Sequence, residues 1–417
     1  MAVSFTSENL SHHETAFGLY GISGYTGGYG FGGYTGVHGL AAIFAYAEEI
    51  MKSRVAIAVF VIILLSVPLD MAAQARFITF DAPGDLATTP LSINPAGAIT
   101  GYFLDANFTE HGFLRERHGT IITFDVLGAV ATLPFSINPA GVIAGWYADT
   151  NFVAHGFLRE RHGTITFDAT RNVNTFPSSI NPEGTITGEY IDANFVSHGF
   201  LREHHGTIIT FDAPGVGPGG GPNSEGTHAS SINPAGAITG SYDDANNVSH
   251  AFLREPDGKF TTFEAPGAGT SPFFGTFAAS INPAGSIAGY YSDGSQVGIQ
   301  VVYHGFLREP DGKITTFDVP GAVAVFTSSI NPAGVIVGYG ADTNEVAHGF
   351  LRRPDGSITT FDAPGAGRSP FDGTYPSSIN PAGAITGAAE VSGISPNIPH
   401  GFLRIPCESD EDGECKR

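Results

Sequence analysis

The chain has 417 residues and a net charge of −21, and only 14% of its residues are charged. This acidity argues against nucleic acid and anionic membranes as partners, because contacts to phosphate need lysine and arginine. The 56 glycines and 27 prolines favour turns and short strands over helices.

Residues 51–75 have the three parts of a secretory signal peptide. Lys52 and Arg54 form a basic start, residues 55–67 form an apolar run, and residues 73–75 (Ala-Gln-Ala) fit a cleavage site. The run is shorter than the roughly 20 apolar residues of a membrane span. We therefore expect a secreted or periplasmic protein without a membrane span in the mature chain. The alternative is a chain tethered to the membrane by an uncleaved signal anchor at 55–67.

Residues 1–50 precede this signal and include a Gly/Tyr-rich stretch with no core-forming pattern. Because a signal peptide normally begins at the N-terminus, we interpret Met51 as the true start and residues 1–50 as a mis-assigned extension. The alternative is a low-complexity arm.

Residues 76–406 contain seven copies of one unit, of which residues 314–356 are an example. Each copy has four apolar segments with the patterns Ser-Ser-Ile-Asn, Ile-x-Gly-Tyr-Tyr, His-Gly-Phe-Leu-Arg and Ile-Thr-Thr-Phe-Asp, which we name strands A, B, C and D. Turn sequences separate them: Asn-Pro-Ala-Gly between A and B, Asp-x-Asn between B and C, and Pro-Asp-Gly or His-Gly between C and D. The pattern predicts four-stranded antiparallel meanders.

The two ends of the repeat region are complementary. Residues 77–81 form a strand D with no A, B or C before it, and the last copy ends on strand C at residues 400–404. Lone sheets would expose two apolar faces, which radial packing buries. We therefore predict an all-β, seven-bladed β-propeller of four-stranded antiparallel blades, closed by the N-terminal strand. An open β-solenoid is the alternative.

The recurring His-Gly-Phe-Leu (His-Ala-Phe-Leu at 250–253), preceded by Ile-Asn-x-x-Gly-x-Ile-x-Gly, resembles the bacterial extracellular HAF-repeat family. The resemblance covers residues 77–406. This chain usually has Gly where the family often has Ala. The resemblance implies export and a propeller-like fold, and it implies no established reaction.

Residues that recur in every copy are interpreted as structural, since each unit must turn and pack. The turn asparagines are Asn94, Asn138, Asn181, Asn233, Asn282, Asn331 and Asn380. The strand C histidines are His111, His155, His198, His250, His304, His348 and His400. We expect these histidines to bond a neighbouring backbone or turn group rather than a metal. We also expect the single tryptophan, Trp146, to lie in the core.

The chain shows no nucleophile elbow, zinc-binding HExxH or phosphate loop, so the sequence favours a protein without enzymatic activity and without a required cofactor. The Asp-x-Asn turns could offer oxygen ligands to Ca²⁺, although each supplies only two side chains and ordinary Asx turns explain them. The doubled Asp243-Asp244 is the best candidate for a metal. Cys407 and Cys415, in an acidic tail at 407–417, could form a disulfide in an oxidising compartment.

All substantial length variation lies in the B–C and D–A connections, which emerge on one face of an antiparallel blade, and it clusters in the fourth to seventh units. Loops on rigid scaffolds often carry binding residues. Two similar D–A loops carry aromatics suited to a sugar or an apolar anchor. The candidate ligand-binding residues are Phe273, Phe274, Phe277, Phe371, Asp372 and Tyr375.

The favoured function is therefore a secreted, non-enzymatic binding module that is monomeric and uses this variable face to bind an extracellular protein or glycan. One alternative is a secreted enzyme, a hydrolase or lyase acting on carbohydrate or lactone. The other is a calcium-stabilised extracellular structural protein.

Overall fold

The repeated segments form short strands joined by tight turns. The computed structural model describes residues 75–171, 173–217, 226–391 and 398–407. Within these ranges there are 28 strands and no helix, and hence no helix long and apolar enough to cross a membrane. The extension at 1–50 and the signal peptide, apart from Ala75, lie outside the described residues. Cys407 is described and Cys415 is not, so the disulfide stays a prediction.

The strands follow the predicted A-B-C-D order, and we number the four-stranded units 1 to 7 along the chain. The first strand is β1 (Arg76–Phe80). Unit 1 consists of β2 (Asp85–Ile93), β3 (Ile99–Asp105), β4 (Glu110–Arg115) and β5 (Ile121–Phe124). Unit 2 consists of β6 (Ala131–Ile137), β7 (Ile143–Ala148), β8 (Ala154–Glu160) and β9 (Gly163–Phe167). Unit 3 consists of β10 (Asn174–Ile180), β11 (Ile186–Ile191), β12 (Ser197–Arg202) and β13 (Ile208–Phe211).

The later units repeat the arrangement. Unit 4 consists of β14 (Thr227–Ile232), β15 (Ile238–Asp243), β16 (Ser249–Arg254) and β17 (Phe260–Phe263). Unit 5 consists of β18 (Gly275–Ile281), β19 (Ile287–Val297), β20 (Gln300–Arg308) and β21 (Ile314–Phe317). Unit 6 consists of β22 (Ala324–Ile330), β23 (Ile336–Ala341), β24 (Ala347–Arg352) and β25 (Ile358–Phe361). Unit 7 consists of β26 (Gly373–Ile379), β27 (Ile385–Val391), β28 (Ile398–Ile405) and, as its strand D, β1.

Neighbouring strands within each unit are antiparallel. β1 pairs with β28 from Arg76 opposite Ile405 to Phe80 opposite Gly401, which is the pairing the complementary chain ends predicted. Strand A carries a β-bulge, for example between Pro134 and Ser136. The strand B glycine lies against this bulge: a Cβ on Gly145 would lie 2.2 Å from the carbonyl oxygen of Leu133. A glycine is required there because any side chain would collide with the strand A backbone.

The A–B turn asparagine serves two purposes. The Gly97 N–H donates to the Asn94 carbonyl oxygen (2.9 Å) and the Ala98 N–H donates to Asn94 Oδ1 (2.9 Å), so the residue closes its own turn. Its Nδ2 donates to the carbonyl oxygen of Asn138, the equivalent residue of unit 2 (3.2 Å). The same link joins Asn138 to Asn181, Asn181 to Asn233, Asn233 to Asn282, Asn282 to Asn331, Asn331 to Asn380 and Asn380 to Asn94. These buried links connect every unit with its successor and unit 7 with unit 1.

The strand C arginine makes a second contact between units. Arg115 lies over the ring of Phe80 on β1, with 4.8 Å between the guanidinium carbon and the ring centroid. Each later arginine lies over the strand D phenylalanine of the preceding unit: Arg159 over Phe124, Arg202 over Phe167, Arg254 over Phe211, Arg308 over Phe263, Arg352 over Phe317 and Arg404 over Phe361. A cation–π contact of this kind contributes about 0.5–2 kcal/mol.

The hydrophobic core lies between successive units. Its central members are the fully buried strand C phenylalanines Phe113, Phe157, Phe200, Phe252, Phe306, Phe350 and Phe402. Phe157, for example, packs with Ile137 and Ile143 of its own unit and with Leu114 and Phe124 of unit 1. Burying one phenylalanine contributes about 1.5–3 kcal/mol, so packing between neighbouring units adds to the stability of each.

Candidate functional site

The seven strand C histidines are bound by carboxylates. His111 Nδ1 lies 2.9 Å from Asp125 Oδ2, its Nε2 lies 3.6 Å from Asp105, and its ring stacks on Phe103. The equivalent acidic partners of the other six are Asp168, Asp212, Glu264, Asp318, Asp362 and Asp81. The expected turn partner is present at Nε2 of His111, because Asp105 belongs to the B–C turn, whereas the closer partner Asp125 follows strand D. In the antiparallel C–D pairing Gly112 lies opposite Phe124, so the preceding histidine meets the acidic residue that follows strand D.

The aspartate carboxylates of the Asp-x-Asn turns accept hydrogen bonds from residues of the same turn. Asp105 Oδ1 accepts hydrogen bonds from the N–H groups of Asn107 and Thr109 (both 2.8 Å), and Oδ2 accepts from Asn107 Nδ2 (3.2 Å). The bond from Thr109 is the main cause that lowers the pKa of Asp105 below its usual value. These are the Asx turns that the sequence predicted.

The doubled aspartates of unit 4 have separate partners. Asp244 is the turn residue and accepts from the N–H groups of Asn246 and Val248. Asp243 accepts from the Ser249 hydroxyl (2.6 Å) and lies 3.5 Å from His228 Nε2. Over the ranges that the structure covers, no three His, Cys, Asp or Glu side chains are arranged to hold a metal ion.

The two aromatic D–A loops lie on the B–C turns of the units that precede them. The N–H of Phe273 donates to the Asn247 carbonyl oxygen (2.6 Å), and that of Phe371 donates to the Glu345 carbonyl oxygen (2.8 Å). Both phenyl rings are exposed, whereas Phe274 lies against Gly294. The contacts place D–A and B–C connections on one face, as predicted.

The other candidates from these loops lie deeper. Asp372 is buried, and its Oδ2 accepts from the Ser369 N–H (3.0 Å). The Tyr375 hydroxyl donates to the Phe371 carbonyl oxygen (2.9 Å). Phe277 and Tyr375 are joined by a row of ring contacts through Tyr290, Phe326 and Tyr339, with centroid separations of 4.8–5.2 Å. The six predicted residues therefore divide into two exposed phenylalanines, three packed aromatics and the buried Asp372, and they do not converge on one pocket.

An open cavity lies on the same face, between units 1, 2 and 3. It has a volume of about 490 Å³. Its aromatic lining consists of Phe108 and Phe152 from two B–C turns, Trp146 from β7 and Phe176 from β10. Trp146 and Phe176 meet edge to face, with centroids 5.4 Å apart and planes at 87°. Trp146 is half-buried, so the expectation that it belongs to the core was wrong.

Three polar side chains line this cavity, those of Thr109, Glu110 and Asn174. Glu110, the first residue of β4, is half-buried there, and its carboxylate makes no hydrogen bond or ion pair with any described residue. Burial raises the pKa of Glu110 above its usual value. Asn174 Oδ1 already accepts a hydrogen bond from the Ala154 N–H (2.9 Å). No lysine, arginine or histidine lines the cavity.

Phe108 and Phe152 reach the cavity from an unfavourable backbone conformation. Their φ angles are 61° and 60°, in the left-handed region that bulky residues rarely adopt. Phe195 of unit 3 has the same conformation (φ 64°), while the equivalent residues of units 4 and 6 are Asn247 and Glu345. Asparagine adopts this backbone more readily than phenylalanine does.

A second cavity adjoins the first through Trp146 and Phe176 and carries a charged cluster. His228 Nδ1 lies 2.5 Å from Glu189 Oε2, and its Nε2 faces Asp243. Burial lowers the pKa of His228, but the hydrogen bonds and charges of both carboxylates together outweigh burial and raise it to about 10.

Neither cavity lies where loop length predicted a site. In units 4 and 6 the long D–A loops lie on the B–C turns, whereas the D–A connections of units 1 and 2, beside the cavity, are short. One sequence feature could have indicated these cavities. The residue after the strand B glycine is tyrosine at positions 102, 290 and 339, but it is Trp146 in unit 2 and Glu189 in unit 3.

No family model matches the chain, and no curated protein sequence matches it. Solved structures resemble it in fold. The structure of streptogramin B lyase has a TM-score of 0.50 at 14% identity, covering 79% of this chain and 97% of that one. Acylaminoacyl peptidase from Pyrococcus horikoshii (TM-score 0.49, 12% identity) covers 78% of this chain and 52% of that one. TolB from Acinetobacter baumannii (TM-score 0.41, 10% identity) covers 79% and 96%. The likeness to the lyase, together with the antiparallel four-stranded sheets, identifies an all-β, propeller-like fold.

Proposed function

We propose that the seven units are the blades of a closed β-propeller. Three observations support closure: β1 completes the sheet of unit 7, Asn380 donates to Asn94, and Arg115 lies over Phe80. The asparagine and arginine contacts repeat between consecutive units and return from the last unit to the first, whereas the pairing of β1 with β28 occurs once. An open solenoid would leave its terminal units without these partners.

On this scaffold, the protein is a secreted, non-enzymatic binding module. The main observation that supports this proposal is the aromatic cavity between units 1, 2 and 3, which lies on the face where the variable connections emerge. Concave sites that combine aromatic side chains with a few placed polar groups are typical of small-molecule binding. The HAF-repeat resemblance and the signal peptide at 51–75 support export, and an exported chain is compatible with a disulfide between Cys407 and Cys415.

The single tryptophan makes the proposal directly testable. Because Trp146 lines both cavities and is the only tryptophan in the chain, its fluorescence reports on their occupancy. Titration of the mature protein with small glycans, amines and aromatic acids should reveal compounds that shift or quench the emission. Calorimetry should give the same affinity for such a compound, and Trp146→Phe should weaken it. The proposal fails if no compound changes the emission or if the calorimetric affinity is unchanged in Trp146→Phe.

A secreted enzyme is the second candidate, because His228 lies between two carboxylates in the adjoining cavity. The mature protein should then turn over a glycoside or lactone, and His228→Gln should abolish turnover while leaving ligand binding at Trp146 intact. Measuring turnover by the wild type and by His228→Gln, with and without EDTA, also tests whether activity depends on a metal. Equal turnover by His228→Gln would remove this site from consideration.

A further inference from the structure

We propose that the cavity between units 1, 2 and 3 binds an organic cation, specifically a quaternary ammonium group, with Trp146 and Phe176 as its ring walls and Glu110 as its counter-ion. This inference rests on the proposed function, since it names the ligand class of the same cavity.

The arrangement of the rings is the first support. The planes of Trp146 and Phe176 are nearly perpendicular, and the exposed Phe108 and Phe152 also line the cavity. A cation within about 6 Å of several ring centroids is attracted by the negative faces of the rings, most strongly by tryptophan, and cages of this kind recognise quaternary ammonium ligands. A methylated ammonium ion also benefits from apolar walls, because its methyl groups are removed from water.

The charge of the lining is the second support. Glu110 is a half-buried carboxylate without a partner among the described residues, and burying an uncompensated charge is costly. A bound cation would remove that cost. An anionic ligand would meet Glu110 with no basic side chain in the lining to compensate. The chain's net charge of −21 also favours the approach of cations over anions.

A neutral sugar fits the lining less well. Sugars need several hydrogen-bond donors and acceptors, but the polar side chains of the cavity are those of Thr109, Glu110 and Asn174. Asn174 Oδ1 already accepts the Ala154 N–H. An ammonium ligand without N–H groups requires only a negative charge and ring faces, which this cavity offers.

The strained phenylalanines supply matched variants. Phe108, Phe152 and Phe195 occupy equivalent turn positions with φ near 60°, and Asn247 shows which residue suits that backbone. Phe108 and Phe152 line the cavity, whereas Phe195 does not. Replacing any of the three by asparagine therefore makes the same local change in the turn. Binding should weaken when Phe108 and Phe152 are replaced, but not when Phe195 is replaced.

The test measures affinity by calorimetry and the emission of Trp146 with two ligands. One is choline, and the other is the neutral compound in which a carbon atom replaces its quaternary nitrogen. Choline should bind the wild type at least tenfold more tightly than the isostere. Glu110→Gln and the double variant Phe108→Asn/Phe152→Asn should each lose tenfold or more, and Phe195→Asn should match the wild type. Choline affinity should also fall as acidification protonates Glu110.

Three outcomes would overturn the inference: equal affinity for choline and the isostere, unchanged affinity in Glu110→Gln, or equal losses in Phe195→Asn and the double variant. If the emission responds to a neutral compound and not to choline, the cavity binds ligands and only the inferred ligand class is wrong. If no compound moves the emission, the proposed function and the inference both fail.

Discussion

His228 should make the stability of the protein depend on pH in an unusual range. Its imidazole is enclosed by Glu189 and Asp243, and its side chain is only 27% exposed. The perturbation to test is His228→Gln, which retains a hydrogen-bonding side chain of similar size and removes the titratable group. Glutamine leaves the two carboxylates facing a neutral neighbour.

The expected loss of folding free energy follows from the pKa of His228, which rises from 6.5 in the unfolded chain to about 10 in the folded protein. Each unit corresponds to about 1.4 kcal/mol, so the shift sets an upper limit of about 5 kcal/mol. Partial exposure screens the charges, and we expect about 3 kcal/mol. Because the folded-state pKa is raised, this stabilisation is complete below pH 6.5 and is lost as the pH rises through about 10.

The assay is denaturant unfolding of the wild type and His228→Gln at several pH values. At pH 6 the variant should be less stable by about 3 kcal/mol, and the difference should shrink as the pH rises, to less than about 1 kcal/mol near pH 10. Comparing the two proteins cancels the titration of groups they share. A difference that stays constant from neutral pH to pH 10 would refute the assignment of a protonated His228.

Three further predictions follow from the contacts between and within units. Asn331→Ala should lower the free energy of unfolding by about 2–4 kcal/mol, because it removes the acceptor of the Val335 N–H and the donor to Asn380; a loss below about 0.5 kcal/mol would contradict the role of the turn. Deleting residues 76–80 should expose the edge of β28 and cause dimers or aggregates in light scattering, and a monomer with an unchanged melting temperature would argue against β1 as a structural strand. EDTA should leave the melting temperature unchanged, since turn carboxylates such as Asp105 are occupied by their own backbone, and a clear decrease would restore the calcium-stabilised alternative.

The repeat made much of the fold predictable. Strand order, turns and the D-strand role of β1 follow from sequence periodicity, because each unit repeats the same local chemistry. The contacts between units could not be read in this way. The turn role of Asn94 is visible in its Asn-Pro-Ala-Gly sequence, whereas its bond to Asn138 depends on the relative position of two units.

The candidate site was less predictable for a related reason. Loop length indicated Phe273 and Phe371, and the structure shows that these longer loops cover neighbouring turns. Trp146 was assigned to the core because it replaces a repeated aromatic residue. It is only partly buried, and the cavity that it lines is formed by residues of three units at once.

The most direct test of the central claim is a crystal structure of the mature protein with a bound quaternary ammonium compound such as choline. We predict that its nitrogen lies within about 6 Å of the Trp146 and Phe176 ring centroids and beside the carboxylate of Glu110. An ammonium group bound away from these three side chains, with the cavity holding only water, would contradict the account.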